Sequence, residues 1–153
     1  MGPLALVNLS LHLCAAFIWI GSSVFLTLLW FPPFRESIGS ICWLEFFLTL
    51  GRRYLRGSWL AIEVLVLTGI FNLLRVGVDS GFVFQPAFLR RLIGKLLIVA
   101  GLIALQIGLS RVWLPRLGKE GSGGRAGRPI IRALVATSVG GGVALLLGLM
   151  LRV

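Results

Sequence analysis

His12 is the only histidine of the chain, and it sits in an uncharged apolar stretch that runs from Leu4 to about Trp30. An imidazole there has two uses. It can ligate a metal through an unprotonated ring nitrogen, or it can remain a neutral hydrogen-bonding group between helices. His12, Ala16, Trp19 and Ser23 follow at spacings of four, three and four, so they share one helical face that joins a polar group, a gap and a large flat aromatic. Lys95 is the second intramembrane candidate. Counted from Ala87 it lies about 12 Å along a helix, and His12 counted from Leu4 reaches a similar depth. An ammonium at that depth either snorkels to the near surface or turns inward to a partner, and the depth favours the inward role. Gln106, eleven residues on, falls on the Lys95 face. Glu63 is expected to be structural, paired with Arg56 or Arg111. Thr68, Asn72 and Ser138 read as hydrogen bonds between helices.

Other chemistries find no residues to carry them. The sequence has no histidine cluster, no Cys-x-x-Cys, no paired carboxylates and no phosphate-binding glycine loop. Methionine occurs only at Met1 and Met150, so a methionine-rich copper pathway is absent. Cys14 and Cys42 read as two small apolar side chains rather than a disulfide.

The elements that must position these groups are membrane spans. With 58% hydrophobic and 13% charged residues, the chain has too little polar surface to cover a water-facing exterior. A span needs about 20 mostly apolar residues. Four candidates meet this, at about 4–30, 57–74, 87–113 and 130–151. The stretch 37–56 differs. Glu45, Arg52 and Arg56 share one face, and Trp43, Phe46 and Phe47 supply apolar area beside it. This predicts an interfacial amphipathic helix between spans one and two that can continue into span two. The segment 118–129 reads as a flexible, solvated linker. The start MGPLALVN carries no positive residue, so no cleaved signal peptide is expected. The fold class expected is therefore an all-α membrane protein, a four-transmembrane-helix bundle forming a single domain over 1–153.

The net charge of +10 does not point to nucleic acid, because the basic residues cluster at the ends of apolar runs. Ten of them fall in the loops between spans one and two and between spans three and four; Arg75, Arg90, Arg91 and Arg152 fall on the opposite side. That asymmetry predicts those two loops in the cytoplasm, both termini outside, and a multi-pass protein of the inner (plasma) membrane. Glycines recurring every seven residues, Gly94, Gly101 and Gly108 in span three and Gly141 and Gly148 in span four, are expected to mark packing faces.

Three blocks, in order, carry a family resemblance. Leu11-His12-Leu-Cys-Ala-Ala-Phe-Ile-Trp19-Ile-Gly21 resembles the His…Trp-x-Gly opening of the CopD copper-resistance membrane family. Arg52-Arg53-Tyr54 followed by Leu67-Thr68-Gly69 resembles its second block, and Gly94-Lys95-Leu96-Leu97 with Leu114-Pro115-Arg116-Leu117 its third. The same superfamily is similar to the HemJ-type protoporphyrinogen oxidases, haem b proteins in which a first-helix His and a third-helix Lys form the essential polar pair; His12 and Lys95 match those positions. At the end of the first helix Phe31-Pro-Pro-Phe-Arg35 stands where those enzymes have Tyr-Leu-Pro-Arg-Leu.

The resemblance implies a haem b-binding protein serving electron transfer. His12 would be the iron ligand, Lys95 a second ligand or a propionate partner, and Trp19 a side chain packed on the porphyrin. Two further functions are compatible with the same bundle: a non-catalytic anchor subunit of a larger respiratory or transport complex, and copper handling, which the residues favour less. The partners expected are the lipid bilayer, with a second copy or a larger membrane complex, and no nucleic acid.

Overall fold

The computed structural model describes residues 2–30, 40–120 and 127–150. Those residues are helical almost throughout. Among them four helical segments are long and apolar enough to cross a membrane, and the chain is a multi-pass, all-α membrane bundle.

Helix α1 spans Pro3–Leu29. It opens on Pro3, whose fixed φ and missing N–H suit the first helical turn, and it carries no charge along 27 residues. Helix α2 spans Ser40–Asp79. At 1.5 Å per residue its 40 residues extend about 60 Å, roughly twice the hydrocarbon thickness. The amphipathic stretch expected between spans one and two is thus the first part of this continuous helix, and residues 37–39 lie outside the described ones. Its aromatics are turned inward: Trp43 and Phe47 are each 1% exposed, whereas Phe46 faces out.

Helix α3, Pro86–Gly108, passes through a π-helical turn, Leu109–Trp113, into α4, Leu114–Glu120. The widened turn has a local cause. The Trp113 indole folds back over Gly108, where an added Cβ would stand 3.1 Å from the ring. Helix α5 spans Gly127–Met150. Both ends of the linker expected over 118–129 are helical, since α4 runs to Glu120 and α5 begins at Gly127 with Pro129 in its first turn; residues 121–126 lie outside the described ones.

The turn from α2 to α3 is held by Gly81 and Phe82, both at positive φ (59° and 60°). A bulky residue rarely adopts that conformation. Here Phe82 N–H donates to Gly77 O at 2.7 Å, and the Phe82 ring covers Gly77 so closely that a Cβ there would fall 2.6 Å from it.

Helix α1 packs along α2 and α5, and α5 in turn packs on α3. The core is concentrated toward the end of the bundle that carries most of the arginines. There Trp43 Nε1 donates to Leu29 O at 3.2 Å. Trp30 meets Trp43 and Phe47 edge-on at 5.0 and 4.9 Å, pairs worth about 0.5–1.5 kcal/mol each beyond their buried area. Leu117, Ile130 and Leu134 are fully enclosed beside them. Toward the other end, where the chain starts, the fully buried side chains thin out to Ala5, Thr68 and Ala144. The exterior is studded with exposed Leu, Ile, Val and Phe, as a lipid-facing surface requires.

The glycine pattern divides. Gly140 and Gly141 of α5 are close-approach points: an added Cβ would lie 3.0 Å from Leu102 and 2.6 Å from Ile20. Gly94 and Gly101 meet nothing within 4 Å. The seven-residue stripe of the third span thus points away from its neighbours rather than into a packing face.

Candidate functional site

Two polar layers interrupt the apolar interior. The first joins α1 to α2. Asn8 Nδ2 donates to Asn72 Oδ1 at 2.9 Å and to Thr68 O at 3.1 Å. One turn further along, His12 Nδ1 lies 2.7 Å from Thr68 Oγ1. Thr68 is buried, and its hydroxyl donates to Val64 O at 2.6 Å. With its single proton committed there, Thr68 Oγ1 can only accept from the imidazole. Nδ1 therefore carries the proton, and in the neutral ring Nε2 is the nitrogen with a lone pair. Gly69 lies beside the ring, where a Cβ would meet His12 Cε1 at an ordinary contact distance of 3.8 Å.

Lys95 lies on α3 against α5. Its Nζ is 3.0 Å from the position a Gly148 Cβ would occupy, and Arg91 Nη1, one turn away, donates to Met150 O at 2.8 Å. The level of Lys95 follows from the second polar layer. Gln106 is bonded to Ser58. Lys95 is eleven residues from Gln106, and Thr68 is ten from Ser58. At 1.5 Å per residue both stand about 15–17 Å from the Gln106 level, so His12 and Lys95 share a depth. Each also continues a face that is buried further along, His12 with Trp19 and Ser23, Lys95 with Leu102 and Gln106. The contacts described for them are to different helices, His12 to α2 and Lys95 to α5.

The second layer lies deeper, toward the arginine-rich end, and involves four helices. Tyr54 Oη donates to Gln106 Oε1 at 3.2 Å. Gln106 Nε2 donates to Ser58 Oγ, and Ser58 Oγ donates to Leu55 O at 3.0 Å. Ser23 Oγ donates to Leu134 O at 2.9 Å, with Ser138 Oγ 3.4 Å away. Ser23 and Trp19 flank the Tyr54 hydroxyl. The Trp19 indole N–H, although buried, makes no hydrogen bond to any described residue. Beside this layer a cavity of about 440 Å³ opens between α1 and α2.

Sequence reasoning placed Trp19, Ser23 and Gln106 on inward faces. It did not single out Ser58 or give Tyr54 a role. The available signal was the four-residue spacing of Tyr54 and Ser58 in an otherwise apolar helix, next to a glutamine at a matching depth.

Glu63 departs from expectation. It is exposed on the surface of α2, between Leu60 and Leu67, and pairs with neither Arg56 nor Arg111; the salt bridge found among the described residues is Arg75 Nε to Asp79 Oδ2 at 3.9 Å. The reason is helical phase. Ser58 faces the interior, and five residues at about 100° each turn Glu63 roughly 140° away. Among the described residues no three His, Cys, Asp or Glu side chains converge. Cys14 and Cys42 are exposed free thiols.

In comparisons with known proteins, the chain matches no family model, no curated protein and no solved structure.

Proposed function

We propose that this chain is an integral membrane haem b-binding protein of CopD/HemJ-like type that serves electron transfer. The observation that carries the reading is the Thr68–His12 hydrogen bond. By accepting from Nδ1–H it assigns the lone pair to Nε2, the nitrogen through which a neutral imidazole ligates iron, and it orients the ring. The donor set fits a haem with one imidazole ligand. Lys95, at the depth of His12, would neutralise a propionate or supply a second nitrogen. Trp19, on the His12 face, would pack on the ring. The group would supply one-electron transfer. The protein's part is to orient the imidazole in an apolar surround.

The arginine-rich end would face the cytoplasm of a plasma membrane, with both termini outside, as the charge asymmetry requires. A reduced-minus-oxidised absorbance spectrum of the purified chain tests the reading. A Soret band with split α and β bands is expected, and it should be lost in His12→Ala. A featureless visible spectrum after haem supplementation, or an unchanged one in His12→Ala, would overturn it.

One observation favours a second reading, a membrane subunit of a larger complex. Glu63 lies on the outer surface of a membrane-spanning helix, about 10 Å from Arg56 along the axis. A carboxyl facing hydrocarbon is costly, and a neighbouring subunit would cover it. Co-purification of a stoichiometric partner through an affinity tag on this chain, lost in Glu63→Leu, would favour that reading.

A further inference from the structure

The cavity between α1 and α2 is built as a cleft for an amphiphile. Its inner wall is Trp19, Tyr54, Ser58 and Leu26, all buried; its rim is Ile18, Gly21, Phe25, Arg53 and Gly57, all exposed on the bundle surface. The rim opens sideways, so in a bilayer the cleft faces lipid rather than water. Two glycines make the opening. A Cβ on Gly21 or on Gly57 would meet nothing within 4 Å, so the space beside both backbones is vacant rather than packed.

Most polar groups of the cleft are already committed. Tyr54 donates to Gln106, Ser58 to Leu55 O, and Ser22 to Ile18 O. Two donors are not. The Trp19 N–H is buried, and the Tyr54 hydroxyl beside it falls outside hydrogen-bond geometry. The Arg53 guanidinium stands at the rim with no acceptor among the described residues. The two are neighbours in space, since Trp19 flanks the hydroxyl of Tyr54, the residue next to Arg53. An orphaned buried N–H costs stability until an acceptor reaches it. A guanidinium at the edge of an apolar cleft calls for an anionic oxygen that can take a forked hydrogen bond.

We propose that this cleft binds an anionic glycerophospholipid from the leaflet at the arginine-rich end. The phosphate pairs with Arg53, an ester carbonyl accepts from Trp19 N–H, and an acyl chain lies over Gly21 and Gly57 against Ile18 and Phe25. Depth supports the pairing. Arg52, Arg53 and Arg56 precede the membrane-spanning part of α2, the level at which headgroups meet a spanning helix. A small soluble anion would satisfy Arg53 but leave the apolar walls and Trp19 unfilled. Of the residues proposed to hold haem only Trp19 is shared with this cleft; His12 and Lys95 take no part in it.

The test is native mass spectrometry of the purified full chain, delipidated and titrated in parallel with dioleoyl phosphatidylglycerol, dioleoyl phosphatidylcholine and inorganic phosphate. The wild type should bind phosphatidylglycerol about tenfold more tightly than phosphatidylcholine, and inorganic phosphate far more weakly than either. Arg53→Gln, an exposed substitution that leaves the core intact, should reduce phosphatidylglycerol to the phosphatidylcholine level, while Arg52→Gln, outside the cleft, should not. Gly57→Leu should fill the opening and weaken both lipids, and Trp19→Phe should weaken both severalfold. Equal losses in Arg52→Gln and Arg53→Gln would reduce the effect to general surface charge and overturn the site. So would inorganic phosphate binding as tightly as the lipid, or undiminished phosphatidylglycerol binding in Gly57→Leu.

Discussion

Replacing Thr68 with Val keeps the volume and the β-branch but deletes the one oxygen on which the His12 tautomer depends. Thr68 is 7% exposed and accepts from His12 Nδ1 across 2.7 Å. Losing a neutral hydrogen bond costs about 1 kcal/mol, and a buried N–H left without an acceptor adds to that. The loss of Thr68's own bond to Val64 O is nearly neutral, since that carbonyl keeps its helical partner. Thr68→Val should therefore lower stability in detergent by about 1 kcal/mol or slightly more, whereas Thr68→Ser, which keeps the hydroxyl, should stay within about 0.5 kcal/mol. The effect on the proposed haem should be larger. With Nδ1 released, Thr68 no longer sets the tautomer, and deleting a supporting hydrogen bond of this kind typically weakens ligation about 10–100-fold. Haem titration monitored at the Soret band, with the three proteins side by side, reads this out. The order wild type, Ser, then Val is expected. If Thr68→Val binds haem as tightly as the wild type and with the same spectrum, while His12→Ala does not, Thr68 does not set the ligand state and the argument from its proton is wrong. If stability also fails to fall, the hydrogen bond itself contributes nothing.

Three further outcomes follow from the packing and the charge pattern. Gly141→Ala should destabilise by about 1–3 kcal/mol, because its Cβ would sit 2.6 Å from Ile20 Cγ1, whereas Gly101→Ala, which meets nothing within 4 Å, should be neutral or stabilising by up to about 1 kcal/mol; thermal denaturation of the two variants in one detergent compares them, and equal losses would contradict the packing of α5. Glu63→Gln should leave stability within about 0.5 kcal/mol, since its carboxylate pairs with no cation among the described residues; a fall of several kcal/mol in thermal denaturation would show a partner. A cysteine at Lys119, in a background with Cys14 and Cys42 replaced by Ala, should resist an impermeant thiol reagent on intact cells and react after lysis, and ready labelling from outside would invert the topology.

Much of this protein is legible in one dimension. Lipid leaves backbone groups no partner outside their own helix, so a long uncharged run such as Leu4–Trp30 has a single structural solution, and the four spans follow from hydropathy alone. The His12–Trp19–Ser23 face was equally legible, because helical phase is local. Thr68 and Asn72 were rightly read as groups that bond between helices, since a polar side chain in a span must find a partner. Less legible was which neighbour a face meets. Gly94 and Gly101 share the seven-residue spacing of Gly141 and Gly148, yet only the latter pair abuts another chain segment. Glu63 had arginines within plausible reach, yet the phase of α2, anchored by Ser58 on Gln106, turns it outward. The depth match of His12 and Lys95 could be counted from the sequence, but the contact of His12 with Thr68 of α2 and of Lys95 with Gly148 of α5 could not. The cleft beside Trp19 needs Gly21 from one helix and Gly57 from another, 36 residues apart. Spacing along a helix determines which residues share a face; only the docking of that face on another helix decides what it touches, because that depends on crossing angle and register, which side-chain packing sets between segments distant in sequence.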